Sequence, residues 1–163
     1  MTLNNTIDII RPRDQLKLYG YDNYFYSFKN LYEKKKLPNA ILLSGQKGLG
    51  KSTFVYHFIN YLLSQNEEHK YSLDNFSISP NNPSLKLIKN SIHPNFFLLD
   101  KPSSSENIKI EQTRNLIKFL NKTTYSQTLK MVLLDDTEYL NLNSSNALLK
   151  ALEESSNNTF FFI

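Results

Sequence analysis

The sequence predicts a three-layer α/β fold, in which a parallel sheet lies between two layers of helices. Short apolar segments alternate with amphipathic segments along the 163 residues, as in chains built from strand–helix units. The apolar segments are continuous rather than alternating with polar residues, which is typical of strands that are covered on both faces. A glycine-rich loop joins the first apolar segment to the helix that follows it.

The strands and helices can be placed in chain order. Buried strands are predicted at 40–44, 95–100, 129–135 and 159–163. Helices are predicted where apolar residues recur at helical spacing, at 23–36, 51–64, 111–121 and 143–154. Residues 65–91 are rich in Asn and Ser and contain two prolines, so they predict a loop with one short helix near 85–89.

Two of these helices have predicted ends. The first has its apolar positions at Phe25, Phe28, Leu31 and Tyr32. We expect it to end with the lysines at 34–36, beside the negative end of the helix dipole and before Pro38. The last helix is expected to bury Ala147, Leu148, Ala151 and Leu152 and to be capped by Asn143 or Ser144.

The composition narrows the function classes. The chain has no cysteine, which excludes disulfides and thiolate metal sites. It has no signal-peptide pattern and no apolar stretch near the ~20 residues that span a bilayer, so we expect a cytoplasmic protein with no membrane partner. The net charge of +4 allows a polyanionic partner without requiring one. Because the chain stops inside a predicted buried strand, we expect it to be part of a longer protein.

A glycine-rich loop at 45–52 indicates a phosphate site. Its sequence, GQKGLGKS, matches the pattern G-x-x-x-x-G-K-[ST] at every fixed position. Glycines allow backbone conformations in which successive N–H groups turn toward one anion, and the start of the next helix favours negative charge. The candidate nucleotide-binding residues are Gly45, Gln46, Lys47, Gly48, Leu49, Gly50, Lys51, Ser52 and Thr53.

Two residues of this loop have separate expected roles. Lys51 is expected to reach the β- and γ-phosphates of ATP, and the Ser52 hydroxyl is expected to bind Mg²⁺. Three of the four glycines in the chain lie inside this motif. Because the motif also follows a predicted strand and opens a predicted helix, it is not a chance match in a turn.

The strand predicted at 129–135 ends beside two carboxylates, Asp135 and Asp136. Asp135 is expected to bind Mg²⁺ through water, because magnesium keeps much of its hydration shell. Asp136 is the candidate catalytic residue. Many proteins with this phosphate-loop motif that hydrolyse ATP have Glu at that position. Asp is one methylene shorter, and a misplacement of about 1 Å can cost on the order of a hundredfold in rate. We therefore expect ATP binding with weak or absent hydrolysis.

Several segments, taken in order, resemble the delta-prime subunits of the bacterial DNA polymerase III clamp loader, a family of AAA+ proteins. They are RPRDQLKLYG at 11–20, LPNAILLSGQKGLGKSTF at 37–54, His93-Pro94, IKIEQTRNLIKFL at 108–120 and KMVLLDDTEYLNLNSSNALLKALEE at 130–154. The resemblance covers nearly the whole chain apart from 65–91. Ser155 and Ser156 stand where the family usually has Pro, and Asn95 stands where it often has Asp, so the member is divergent.

The resemblance implies an AAA+ nucleotide-binding domain over residues 1–163, with the later sensor, lid and collar regions absent. It also implies a subunit that assembles with the gamma/tau and delta subunits and helps load the sliding clamp onto primed DNA. In this family the segment before Gly20 lies against the adenine, so Leu18 and Tyr19 are candidate base contacts. Helical and strand periodicity allows Leu18 to be a core residue equally well.

Two alternatives stay open. A hydrolysing ATPase of the gamma/tau or another AAA+ type is one, although gamma/tau typically has a cysteine-ligated zinc module and a Glu in place of Asp136. A small-molecule kinase or GTPase is the other. The stretch Asn121-Lys122-Thr123-Thr124 lacks the final Asp of the guanine-reading N/T-K-x-D motif, and the chain has only three arginines to bind a second phosphate substrate. His93 has no metal-ligand spacing and is expected to be structural.

Overall fold

The structure is a computed structural model that describes residues 10–102, 107–122, 129–156 and 158–163. A parallel sheet of four strands, in the order β1-β4-β3-β2, forms its centre. The strands are β1 Ala40–Ile41, β2 Phe96–Leu99, β3 Lys130–Leu134 and β4 Thr159–Phe162. The helices are α1 Asp22–Glu33, α2 Lys51–Leu63, α3 Pro83–Lys89, α4 Ile110–Asn121 and α5 Leu142–Glu153.

The sheet is covered on both faces. Along β3 every residue is buried, and successive side chains point to opposite faces. Met131 and Leu133 join the core cluster that contains α1, α2 and α3. Val132 and Leu134 join the second cluster, with α4 and α5. This confirms the predicted three-layer α/β fold and explains why the strands are continuous apolar runs in the sequence.

The segments predicted as strands and helices form them, most within two residues of the predicted bounds. The predicted end of α1 is wrong, because the helix stops at Glu33. Lys35 has a left-handed backbone with a φ of 55°, its N–H donates to Tyr32, and the N–H of Lys36 donates to Leu31. These two bonds form a Schellman motif, which ends the helix. Leu31, which the spacing predicts on the apolar side, is 38% exposed.

Two further boundaries differ from prediction. β1 is shorter than 40–44, although the N–H of Leu43 still donates to Ile163 at 2.7 Å. Leu42, which lies between the end of β1 and Leu43, is exposed, as expected where an edge strand runs into a loop. α5 is capped by Asn141, whose side chain accepts from the N–H of Ser144 at 2.8 Å. The apolar spacing locates a helix to within a turn, but the cap depends on one side-chain bond.

An aromatic cluster fixes α1 against α2. Phe25 is fully buried in α1, and its ring lies 5.1 Å from the ring of Tyr71, in a stacked arrangement. Its other ring contacts, with centroids at 5.5–6.2 Å, are Phe54, Phe58, Tyr61 and Phe76. Aromatic pairs in such geometries add to the stabilisation that burial alone provides. The cluster therefore joins α1, α2 and the segment after α2 into one layer.

Residues 65–91 are held by polar side chains rather than by an apolar core alone. The Glu67 carboxylate accepts from the Asn82 amide at 2.9 Å and from the Ser84 hydroxyl at 2.6 Å. The Asn82 side-chain oxygen in turn accepts from Asn60 of α2 at 2.8 Å and caps α3. Hydrogen bonds to a charged acceptor are worth more than neutral ones. The segment predicted as a loop is thus anchored to α2 by a buried network.

His57 lies fully buried in α2 and is neutral in the folded protein. Its Nε2 is 3.2 Å from the carbonyl of Gln15, and its Nδ1 is 3.1 Å from the Tyr71 hydroxyl. A carbonyl only accepts, so Nε2 carries the hydrogen and Nδ1 accepts from Tyr71. Burial lowers the pKa of His57 from 6.5 to about 4, which outweighs the opposing effect of the bond to Gln15.

This burial predicts a loss of stability in mild acid. Below pH 6.5 His57 becomes protonated in the unfolded chain, but in the folded chain it stays neutral down to about pH 4. The free energy of unfolding therefore falls as the pH drops from 6.5 to about 4. The contribution of His57 to the free energy of unfolding falls by up to about 3 kcal/mol. His57→Gln keeps a donor for Gln15 but does not titrate. Urea unfolding at pH 7 and 4.5 should show a smaller acid loss in the variant, and equal losses would contradict this role.

Candidate nucleotide-binding site

The glycine-rich loop lies between β1 and α2. Gly48 and Gly50 have φ values of 87° and 84°, in the left-handed region that other residues rarely adopt. Gly50 is also the N-cap of α2, which begins at Lys51. The first backbone N–H groups of α2 have no partner within the helix, and the partial positive charge of the helix start is therefore presented at the loop.

Lys51 folds back across this loop. Its Nζ donates to the carbonyl of Gly45 at 2.7 Å and to the carbonyl of Gln46 at 2.9 Å. An ammonium group has three donors, and these two bonds hold it at the opening of the loop. The positive charge of Lys51 is thus placed beside the backbone N–H groups at the start of α2, which is the arrangement that a polyphosphate requires.

Ser52 and Asp135 meet at the carboxyl end of the sheet. The Ser52 hydroxyl donates to Oδ2 of Asp135 at 3.0 Å, although 83 positions separate the two residues. Asp135 follows β3 directly, and its N–H donates to the Leu99 carbonyl of β2 at 2.9 Å. A hydroxyl and a carboxylate at this spacing form the oxygen donor set that magnesium prefers, so the residues fit the ion that the motif implies.

The other candidate loop residues take different positions. Gln46, Lys47 and Leu49 are exposed, and Leu49 is 57% exposed. Thr53 is half-buried in the first turn of α2. At these positions the structure offers the backbone N–H groups of the loop rather than buried side chains, and phosphate loops bind anions through such groups.

Asp136 has an unusual backbone. Its φ is 58° and its ψ is 39°, and it starts a short 3₁₀ turn at Thr137–Tyr139. Asp and Asn adopt this left-handed conformation more readily than other side chains with a Cβ. Burial raises the pKa of Asp136, and the neighbouring Asp135 carboxylate raises it further. The conformation supplies a physical reason for Asp rather than Glu at this position.

Asp100 belongs to the same group of carboxylates, and the sequence reasoning missed it. The residue directly follows β2, and the register of β2 with β3 places Leu99 beside Leu134, so Asp100 lies next to Asp135. Burial raises the pKa of Asp100, with the Asp135 carboxylate as the next cause and Arg13 acting against both. The signal in the sequence was its position, directly after a buried strand.

The structure decides between the two interpretations of Leu18. Its side chain is 3% exposed and belongs to the core, and its N–H donates to the Phe76 carbonyl at 2.9 Å. This burial supports the interpretation of Leu18 as a core residue. Tyr19 is 71% exposed, and the Lys17 ammonium lies over one face of its ring, 5.3 Å from the centroid.

Tyr21 is a second residue that sequence reasoning missed. Its hydroxyl donates to the carbonyl of Leu49 at 2.7 Å, across 28 positions of the chain. Its ring stacks on Phe54 of α2, with a centroid distance of 5.3 Å. Tyrosine is common in this chain, and nothing in its local sequence distinguishes Tyr21 from Tyr24 or Tyr26.

His93 takes part in packing at the base of β2. Its Nδ1 accepts from the N–H of Asn95 at 3.1 Å, and its Nε2 lies 3.3 Å from the Ser84 hydroxyl.

In the part of the chain that the structure describes, no group of three or more His, Cys, Asp or Glu residues is placed to hold a metal ion. No helix among the described residues is both long enough and apolar enough to cross a bilayer.

Fold and loop together define a class: an α/β protein with a parallel sheet and a glycine-rich loop between its first strand and the following helix. A family model described as "DNA polymerase III, delta subunit" matches residues 20–163. The chain belongs to this family.

Curated relatives agree with the family match. DNA polymerase III subunit delta' of Pseudomonas aeruginosa is 31% identical over 125 residues, which is 77% of this chain and 36% of the relative. The Escherichia coli subunit delta' is 25% identical over 132 residues, covering 81% of this chain and 38% of the relative. DNA polymerase III subunit gamma of Buchnera aphidicola is 27% identical over 94% of this chain and 40% of the relative. The chain spans well under half the length of these relatives.

The solved structures show the fold. A DNA polymerase III gamma subunit-related protein from Thermotoga maritima superposes with a TM-score of 0.51 and 22% sequence identity. The superposition covers 85% of this chain and 38% of that protein. At this identity the likeness supports the α/β architecture and carries no residue roles.

Proposed function

We propose that the chain is the ATP-binding part of a delta-prime-type clamp-loader subunit with weak or no ATP hydrolysis of its own. The observation that carries the ATP site is the contact between Ser52 and Asp135, at 3.0 Å, beside the phosphate loop. Two residues so far apart in sequence meet where a P-loop protein needs its magnesium ligands. The family match supports the clamp-loader role.

The site residues would have separate roles in binding Mg-ATP. The backbone N–H groups of the loop and of the start of α2 would bind the phosphates, and the Lys51 ammonium would donate to their oxygens. Ser52 and Asp135 would hold Mg²⁺, which neutralises phosphate charge when it is bound. Tyr19, with its exposed ring, would contact the base.

The partners follow from the family rather than from a surface of this chain. We propose assembly with the gamma/tau and delta subunits in the cytoplasm, and contact with the sliding clamp and primed DNA through that assembly. Co-expression with those subunits from the same genome should give a stoichiometric complex on size-exclusion chromatography. A clamp loader that assembles without this chain, while the chain is folded and binds ATP, would contradict the role.

The weak hydrolysis is proposed from Asp136. Its left-handed backbone suits Asp, and its carboxylate is shorter than that of Glu. We expect Asp136→Glu to cost about 1 kcal/mol of stability because Glu is strained at this φ, and to raise ATP turnover in the assembled complex. Asp136→Asn fits the same backbone without a carboxylate and should not raise turnover. Turnover by the unaltered chain at ~10 s⁻¹, an ordinary enzyme rate, would favour the hydrolysing gamma/tau-type alternative.

A further inference from the structure

We infer that Tyr21 is a positioning residue for the phosphate loop, whose hydroxyl holds the Leu49–Gly50 peptide so that the Gly50 N–H faces the phosphate side. This inference rests on the proposed function and deepens it. Tyr21 precedes α1 and belongs to a different part of the chain from the loop, so the contact joins two elements.

The position of the Tyr21 hydroxyl is fixed by packing. The ring stacks on Phe54, which is 1% exposed and lies one turn into α2. The Cε2 atom of the ring also lies 3.7 Å from where a Cβ on Gly50 would stand. A ring held between α2 and the loop leaves its hydroxyl little freedom. The 2.7 Å bond to Leu49 is therefore set before any ligand binds.

The consequence for the loop follows from peptide geometry. In a planar trans peptide the C=O and the next N–H point in opposite directions. The Leu49 carbonyl points to Tyr21, so the N–H of Gly50 points to the other side of the peptide plane. Gly50 has a φ of 84° and no Cβ, and a glycine peptide can turn over easily when nothing holds it. The Tyr21 hydroxyl prevents that rotation and keeps one N–H donor directed for an anion.

Tyr21→Phe tests this role, with Tyr26→Phe as its control. The first variant keeps the ring on Phe54 and removes only the hydroxyl, and the second removes a hydroxyl from an exposed tyrosine of α1. Both are titrated with Mg-ATP and with magnesium triphosphate, a probe that lacks base and ribose. We expect Tyr21→Phe to weaken both ligands equally, by about fivefold to twentyfold, because one directed hydrogen bond to a charged group is lost. Tyr26→Phe should bind both ligands as the unaltered chain does.

Two results would overturn the inference. One is unchanged affinity in Tyr21→Phe, and the other is weakened ATP binding with unchanged triphosphate binding, which would place the hydroxyl at the base or ribose. The ¹⁵N relaxation of the Gly50 amide in the ligand-free protein gives an independent readout. Increased mobility of Gly50 in Tyr21→Phe is expected even if the unaltered chain failed to bind ATP, a failure that would count against the proposed function alone. Unchanged Gly50 mobility would overturn the inference about Tyr21.

Discussion

Replacing Lys51 with alanine is expected to abolish measurable Mg-ATP binding while the fold persists. The ammonium is held at the opening of the loop by the Gly45 and Gln46 carbonyls, 2.7 and 2.9 Å away. It would be the charged side chain closest to the phosphates, and removing one partner of such a charge pair typically costs about 2–5 kcal/mol. That cost corresponds to an affinity at least ~30-fold lower.

Isothermal titration calorimetry of Lys51→Ala against the unaltered chain measures this loss. Lys36→Ala is the matched control, because Lys36 is exposed after α1 and uses its backbone rather than its ammonium in the helix cap. Urea midpoints of both variants should stay close to that of the unaltered chain. An affinity of Lys51→Ala within about threefold of the unaltered chain would place the phosphates elsewhere.

Phe25→Ala should give a large loss of stability. Phe25 is fully buried and contacts five other rings, so alanine would leave a cavity between α1 and α2. Phe→Ala changes in protein cores cost about 3–5 kcal/mol. Equilibrium urea unfolding at pH 7 measures the change.

Tyr24 provides the control for Phe25, since it lies in the same helix but is 64% exposed. Tyr24→Ala should change the free energy of unfolding by less than about 1 kcal/mol. If Phe25→Ala lost no more stability than Tyr24→Ala, the aromatic cluster would not be what joins the two helices.

The architecture could be predicted because its signals are local in the sequence. The strands at 96–99, 130–134 and 159–162 are apolar throughout, apart from Lys130 and Thr159 at the start of two of them, and such short continuous runs are typical of strands covered on both faces. The phosphate loop has fixed residue types at fixed spacing, so it too is visible in one short stretch. Asp135 could be singled out because a strand end beside such a loop is where a magnesium ligand is needed.

The parts that escaped prediction depend on contacts between distant residues. Glu67, Asn82 and Ser84 form a buried network, but their residue types are those of an exposed loop. Tyr21 reaches Leu49 only because α1 packs on α2, and no local pattern records that approach. The sequence allows Leu18 to be either a core residue or a base contact, and only its 3% exposure in the structure places it in the core.

Helix ends were the other weakness, for a different reason. The lysines at 34–36 suit the end of a helix electrostatically, yet the helix stops at Glu33 because Lys35 adopts a left-handed backbone. That conformation is usual for glycine and uncommon for lysine, so composition pointed to a later end. The end of a helix is therefore determined more by its backbone hydrogen bonds than by the charges of nearby side chains.

Calorimetric titration of the unaltered chain with ATP, once with Mg²⁺ and once with EDTA, is the most direct test of the proposed site. If Ser52 and Asp135 hold magnesium beside the phosphate loop, ATP binds in both conditions and binds more tightly with Mg²⁺. Absence of binding in both conditions, or an affinity that does not respond to Mg²⁺, would contradict a Mg-ATP site at this loop.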